Sequence, residues 1–90
     1  MRTVSIAVFG KVQGVWFRGS TLEKARSLEI TGWVCNKADG SVYMEASGSA
    51  EQIKSLIEWC HQGPSHAIVE QVVVQEMDAT EELTGFIIKR

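Results

Sequence analysis

A short loop, GKVQGVWFR at residues 10–18, combines residue types that could bind an anion. It holds two glycines four residues apart and ends in an arginine. Glycines let peptide N–H groups point inward because no Cβ is in the way. Successive inward N–H groups form an anion-binding nest, and a following helix adds its positive end. Arg18 supplies a planar, permanently charged fork that fits two phosphate oxygens. The loop therefore predicts a cradle for a phosphate or a carboxylate.

Spacing alone leaves a second interpretation of this loop open. A Gly-x-x-x-Gly segment with one arginine is common by chance. It would also fit a tight turn from a strand into a helix, with Arg18 solvated at its exit. The G-K-[ST] ending of a Walker loop is missing, so the sequence does not suggest a nucleoside triphosphate with magnesium.

Composition and charge limit the classes of protein to consider. The 90 residues are enough for one small domain, and 44% of them are hydrophobic, as in a globular fold. A net charge of −2 argues against a general nucleic-acid binder, which normally carries a basic excess. No apolar run approaches membrane-spanning length, and the N-terminus lacks the apolar core of a signal peptide. We therefore expect one cytoplasmic domain over residues 1–90, with Cys35 and Cys60 as free thiols.

Hydrophobic periodicity places the loop between a strand and a helix. Alternation over residues 3–9 predicts the strand. After the loop, Ser20 and Glu23 have the S-x-x-E form of a capping box, which predicts that the helix begins near Ser20. A second strand is expected over residues 30–36. Asp39, followed by glycine, predicts a tight turn into a third strand in which apolar and polar residues alternate.

The second half of the chain carries a helix and two strands. Ser49 and Gln52 form another capping pair, and the apolar helical stripe after them ends at QGP, residues 62–64. The β-branched run over residues 67–76 changes its apolar parity partway, as a bulged strand does. DATEELTG is polar and turn-like, and FIIKR can pair as a short last strand. The order β-α-β-β-α-β predicts an α+β fold, the ferredoxin-like α/β sandwich, with two helices on one face of a mostly antiparallel sheet.

Two stretches resemble the signatures of the acylphosphatases, small enzymes that hydrolyse acyl phosphates. GKVQGVWFR is similar to the first signature, and GWVCNKADGSV at residues 32–42 is similar to the second. A weaker third element, Gly63-Pro64 with AIVEQV downstream, also fits. The order and spacing agree over essentially the whole chain, and the family's ferredoxin-like fold agrees with the element order. The resemblance implies a metal-independent enzyme without a cofactor, whose partner is a small-molecule acyl phosphate.

The resemblance also implies roles for individual residues. The family's phosphate-binding arginine corresponds to Arg18, and its water-positioning asparagine corresponds to Asn36. The cradle corresponds mainly to backbone groups of six residues, namely Gln13, Gly14, Val15, Trp16, Phe17 and Arg18. Asn36 ends a predicted strand just before the hairpin turn, where its side chain can face a cleft. A neutral amide holds a water through both its donor and its acceptor atoms.

An amide does not take the proton of that water at neutral pH, and the sequence offers no obvious general base beside it. As the resemblance also implies, we expect a phosphate oxygen of the substrate to accept the proton. The enzyme then supplies positioning and charge stabilisation. The carboxylate that leaves an acyl phosphate is a weak base, which removes the need for a catalytic acid or a metal.

The sequence departs from the family pattern at several positions. Cys35 stands where a basic residue is common, and strand alternation points it away from Asn36. Glu29 stands where a glycine would take the left-handed end of the first helix, at an expected cost of about 1 kcal/mol. Gly19 and Ser20 stand where larger residues are common, so we expect a looser first turn of that helix.

Other residues that could do chemistry have simpler interpretations. His61 and His66 have no ligand types grouped with them in the sequence and are expected to be solvated rather than metal-binding. Trp16, Trp33 and Trp59 are expected to pack in the core or at the edge of a cleft rather than to stack on bases.

Two other functions remain as alternatives. One is a non-catalytic anion-binding or regulatory module on the same fold. The other is a nucleic-acid-binding ferredoxin-like domain. The presence of both Arg18 and Asn36 favours the enzyme over these two, and we expect a monomer that binds neither nucleic acid nor membrane.

Overall fold

The chain folds into a five-stranded sheet with two helices packed on it, as a computed structural model that describes residues 1–78 and 84–89 shows. The elements are β1 (Arg2–Lys11), α1 (Phe17–Ser27), β2 (Thr31–Asn36), β3 (Val42–Gly48), α2 (Ala50–Gln62), β4 (Ile68–Glu76) and β5 (Phe86–Ile88). The strand order is β4-β1-β3-β2-β5, and only β2 and β5 are parallel. The predicted fold class is confirmed. Most of the DATEELTG segment, residues 79–83, lies outside the described residues. No helix in the described part of the chain is long and apolar enough to span a bilayer.

Alternation along the central strands builds the core. Val4, Ile6 and Val8 of β1 are fully buried, and each buried side chain of this size contributes about 1.5–3 kcal/mol. Their cross-strand neighbours are the inward residues predicted for β3, namely Val42, Met44 and Ala46. Cys60 of α2 is buried against this layer, and desolvation raises the pKa of its thiol to about 12. The Cys60 thiol therefore stays protonated in the folded protein.

Helix α2 begins and ends at the predicted residues. The Ser49 hydroxyl accepts from the Gln52 N–H at 3.1 Å, and the Gln52 side-chain oxygen accepts from the Ser49 N–H at 2.8 Å. This reciprocal pair is the predicted capping box. Gly63 ends the helix at φ 67, a conformation that glycine adopts without strain.

The predicted parity change in β4 is a bulge. Phe9 pairs with Gln71, but Gly10 pairs with Val69, so Glu70 is the extra residue. Gly10 has φ 126, and a Cβ there would run into the Ile68 carbonyl. The close approach of β4 therefore requires glycine at position 10. The later part of the loop, from Val12 onward, lines the site described below.

Helix α1 begins at Phe17, so the expected start near Ser20 is wrong. The Ser20 N–H already donates to the Trp16 carbonyl at 3.0 Å, inside the helix. The chain turns at Trp16, which has left-handed backbone angles, and the buried Phe17 side chain draws the first turn onto the core. Burial of an aromatic ring outweighs a local capping pattern worth about 1 kcal/mol.

Helix α1 ends in a Schellman motif with Glu29 at its left-handed position. The Ile30 N–H donates to the Ala25 carbonyl at 2.9 Å, and the Glu29 N–H donates to the Arg26 carbonyl at 3.1 Å. Glu29 has φ 58, as expected where glycine is the favoured residue. Ile30 and Ala25, which the first of these two hydrogen bonds joins, are both buried.

Substituting Glu29→Gly should stabilise the protein by about 1 kcal/mol, because glycine adopts this backbone without strain. Urea unfolding followed by far-UV circular dichroism would measure the change in the free energy of unfolding. The control is Glu23→Gly at an exposed position inside α1, which should lose about 1 kcal/mol. A loss of stability in both variants would contradict the assignment of strain to Glu29.

Candidate functional site

An open cavity of about 430 Å³ lies between the β1–α1 loop and the end of β2. It brings together Arg18 and Asn36, the two residues for which the sequence predicts direct roles. Nine described residues line it, namely Val12, Gln13, Gly14, Trp16, Phe17, Arg18, Gly19, Asn36 and Ile88. Five of the six predicted cradle residues are among them. Val15 is not, and its half-buried side chain packs against the core.

Two buried side chains hold the loop at its ends. Val12 is 1% exposed and Phe17 is 2% exposed, and the Phe17 ring lies 5.4 Å from the Trp59 ring between centroids. Between these anchors, Gly14 and Trp16 have φ values of 75 and 66. Left-handed residues that alternate with ordinary ones turn successive N–H groups toward one concave side. The backbone of the loop therefore has the form of an anion-binding nest.

The N-terminus of α1 opens into the same cavity without a partner of its own. Among the described residues, no side chain caps it and no acidic residue lies in its first turn. Along α1, the first N–H that makes the regular helical hydrogen bond is that of Ser20, which donates to the Trp16 carbonyl. The earlier N–H groups and the positive end of the helix dipole are thus left for a bound anion.

Arg18 is the only charged residue among the nine described residues that line the cavity. In the part of the chain that the structure describes, neither its guanidinium nor the Asn36 carboxamide makes a hydrogen bond or an ion pair with another side chain or with the backbone. The described lining residues thus offer one unpaired cation and one unpaired amide, and none of them carries a carboxylate or an imidazole. This described set suits an anionic ligand and includes no side chain that would act as a general acid or base at neutral pH.

The β2–β3 hairpin presents Asn36 at the cavity. Gly32 and Val34 of β2 are buried on the helix side of the sheet, and Asn36 continues that face at the exposed strand end. Cys35 lies on the other face, as predicted. The turn is closed by Asp39, whose carboxylate accepts from the Ser41 N–H at 2.9 Å and hydroxyl at 2.6 Å. The hydrogen bond from the Ser41 hydroxyl, and then that from the Ser41 N–H, lower the pKa of Asp39. The two bonds close the turn, so the prediction of Asp39 as a turn residue is confirmed.

Gln13 links the loop to this hairpin by hydrogen bonds that residue spacing does not indicate. Its side-chain Nε2 donates to the Lys37 carbonyl at 2.8 Å and to the Ser41 carbonyl at 2.9 Å. One amide NH₂ thus uses both of its hydrogens to join the loop to the turn after Asn36. The acceptors are main-chain atoms distant in sequence, so no residue type marks them.

Trp16 and Gly19 both line the cavity. Trp16 is 70% exposed, and its indole lies against the Cα of Gly19. The cleft-edge prediction for Trp16 is therefore confirmed, whereas its left-handed backbone was not foreseen. Trp33 packs against Tyr43 with ring centroids 5.6 Å apart.

The histidines singled out in the sequence are not among the described residues that line the cavity. His61 and His66 are both exposed. Within residues 1–78 and 84–89, no cluster of three or more histidine, cysteine, aspartate or glutamate side chains is arranged to hold a metal ion.

Comparison with known proteins places these features in a family. The sequence profile of the acylphosphatases matches residues 4–88. An acylphosphatase from Marinobacter nauticus is 53% identical over 81 residues, which are 90% of this chain and 88% of that protein. A solved acylphosphatase from Coxiella burnetii is 39% identical with a TM-score of 0.92, covering 98% of this chain and 92% of that one. A Bacillus subtilis acylphosphatase structure is 32% identical with a TM-score of 0.95, covering 100% of both chains. The chain therefore belongs to the acylphosphatase family.

Proposed function

We propose that the chain hydrolyses the carboxyl-phosphate bond of acyl phosphates, with the phosphoryl group held by the loop 13–18 and Arg18 and with a water directed by Asn36. The acylphosphatase activity rests on the family match and on relatives of that name that are covered over most of their length. The observation that carries the residue roles is the meeting of Arg18 and Asn36 at one cavity.

Binding in this proposal uses two kinds of donor. The N–H groups of the loop and of the first turn of α1 surround the non-bridging phosphate oxygens. The guanidinium of Arg18 adds a charge-assisted, bidentate contact. None of the described lining residues is acidic, so none of them repels a dianionic phosphoryl group.

The attacking water is held by the Asn36 carboxamide, which no other group in the described chain occupies. The water oxygen forms a bond to phosphorus while the bond from phosphorus to the acyl oxygen breaks. The electron pair of that bond leaves with the carboxylate, and the water proton passes to a phosphate oxygen. The products are a carboxylate and inorganic phosphate, and the protein is not itself protonated or deprotonated.

The leaving group explains how so few side chains suffice. A carboxylate is a weak base, so it departs without a proton donor. Charge that develops on the phosphoryl oxygens is stabilised by donors already oriented before the reaction. Arg18 and the loop backbone therefore supply the main electrostatic contribution in this mechanism.

The proposal also covers the cellular compartment, the oligomeric state and the lack of a cofactor requirement. The thiols of Cys35 and Cys60 are free, as suits the reducing cytoplasm. We take residues 1–90 to act as a single domain and a monomer that requires no metal or cofactor.

Arg18→Ala and Asn36→Ala should each lower kcat/KM by about a hundredfold or more, the scale of losing one transition-state donor. Arg18→Lys should also be poor, because an ammonium lacks the planar fork. A stopped assay with benzoyl phosphate in the presence of a chelator would measure these rates. Wild-type activity should persist in the chelator.

Arg26→Ala is the matched control for the arginine, since Arg26 is exposed on the same helix outside the cavity. It should retain nearly wild-type activity. Full activity of Arg18→Ala would exclude the proposed role. Phosphate binding by the wild type without any turnover would instead favour the non-catalytic module.

Gln13→Ala should lower kcat about tenfold with a smaller change in KM, because two hydrogen bonds that align Asn36 with the loop are lost. Steady-state kinetics with benzoyl phosphate would separate kcat from KM. Gln71→Ala, at an exposed position on β4, is the control and should change neither. An unchanged kcat in Gln13→Ala would show that the hairpin holds Asn36 in place without the tether.

A further inference from the structure

The exposed indole of Trp16 is not used by the proposed mechanism. The other apolar side chains that the loop contributes to the cavity, those of Val12 and Phe17, are almost fully buried. Trp16 instead leaves 70% of its surface in solvent. A large aromatic surface beside an anion cradle offers a contact for an apolar part of the ligand.

Gly19 fixes the position of this indole. A Cβ at Gly19 would lie 2.8 Å from Cδ2 of Trp16 and closer still to Cε2 and Cζ2. Only glycine lets the six-membered ring lie directly on the first turn of α1. The backbone of Trp16 is also set by the turn that starts the helix, at φ 66 and ψ 26. One side of the ring is therefore packed, and the other is exposed to solvent where Trp16 lines the cavity.

The direction of the reaction places the acyl group away from the attacking water. In phosphoryl transfer the attacking and leaving oxygens lie roughly in line through phosphorus. Asn36 ends β2, and Ile88 pairs with Val34 of that strand, so both lie on the side of the incoming water. The acyl group must leave away from that side. Among the described residues that line the cavity, Trp16 is the one with a largely exposed apolar side chain.

We propose that the exposed face of the Trp16 indole, held in place by Gly19, binds the acyl group and favours aromatic acyl phosphates over small aliphatic ones. This inference rests on the proposed function, because it requires the phosphoryl group to occupy the cradle. It deepens that function by assigning a specificity determinant. A benzoyl ring can stack on the indole, whereas the methyl group of an acetyl phosphate covers little of it.

The test measures the ratio of kcat/KM for benzoyl phosphate to kcat/KM for acetyl phosphate. Both substrates carry the same phosphoryl group, so damage to the cradle cancels in this ratio. Trp16→Ala should lower the ratio about five- to tenfold, and Trp16→Phe should restore most of it. Gly19→Ala should also lower the ratio, because the added methyl group displaces the indole.

A double substitution separates this effect from a general disturbance of α1. In the Trp16→Ala background, Gly19→Ala should cause no further fall in the ratio, since no indole remains to be displaced. Trp33→Ala removes a tryptophan that contacts Tyr43 away from the cavity, and it should leave the ratio unchanged. Gly19→Ala alone tests the proposal if Trp16→Ala does not fold.

Three outcomes would overturn the proposal. The first is an unchanged ratio in Trp16→Ala. The second is a Gly19→Ala effect that is equally large with and without the indole. In both, the wild type still hydrolyses the two substrates, so the proposed function stands and only the specificity assignment fails. The third is a wild type that hydrolyses neither substrate, and the proposed function then fails together with this inference.

Discussion

The site depends on one backbone turn, the left-handed conformation at Trp16. It ends the loop and starts α1 at Phe17, so Arg18 falls within the first helical turn. The residue before the helix is thus an indole-bearing residue with left-handed angles, and no side chain caps the helix within the described residues. The first N–H groups of α1 are therefore available to an anion. A bulky residue in this conformation carries a strain of about 1–2 kcal/mol. Strain of this kind persists where the surrounding structure enforces it, here through the buried Phe17 ring.

Much of this architecture could be predicted from the sequence because the signals are local. Alternation marks β1 and β3, and the Ser49–Gln52 pair marks the start of α2. The resemblance to a family selected Arg18 and Asn36, and the sheet topology brings their elements to one cavity. Their chemical roles remain predictions. These parts were accessible because each follows from residue type, spacing or the order of the elements.

The remaining features depend on contacts between distant segments. The Ser20–Glu23 pattern falls inside α1 because burial of Phe17, which involves Trp59 far along the chain, starts the helix earlier. Nothing in the residue type of Trp16 signals a left-handed backbone. The tether from Gln13 ends on carbonyl groups, which every residue possesses. Spacing and residue type do not reveal such interactions, since they arise only once the sheet has formed.

The choice of carbonyl acceptors by Gln13 affects how the hairpin can change. The Gln13 amide donates to main-chain carbonyls of Lys37 and Ser41, so these two bonds do not depend on which side chains stand at those positions. Exchanging the exposed Lys37 or Ala38 for another residue therefore preserves both acceptors, provided that the turn keeps its shape. Inserting or deleting one residue would move a carbonyl out of reach. In the turn between Lys37 and Ser41, the number of residues is therefore constrained more tightly than their types. Substitutions can change the charge of this turn while Asn36 stays aligned with the loop.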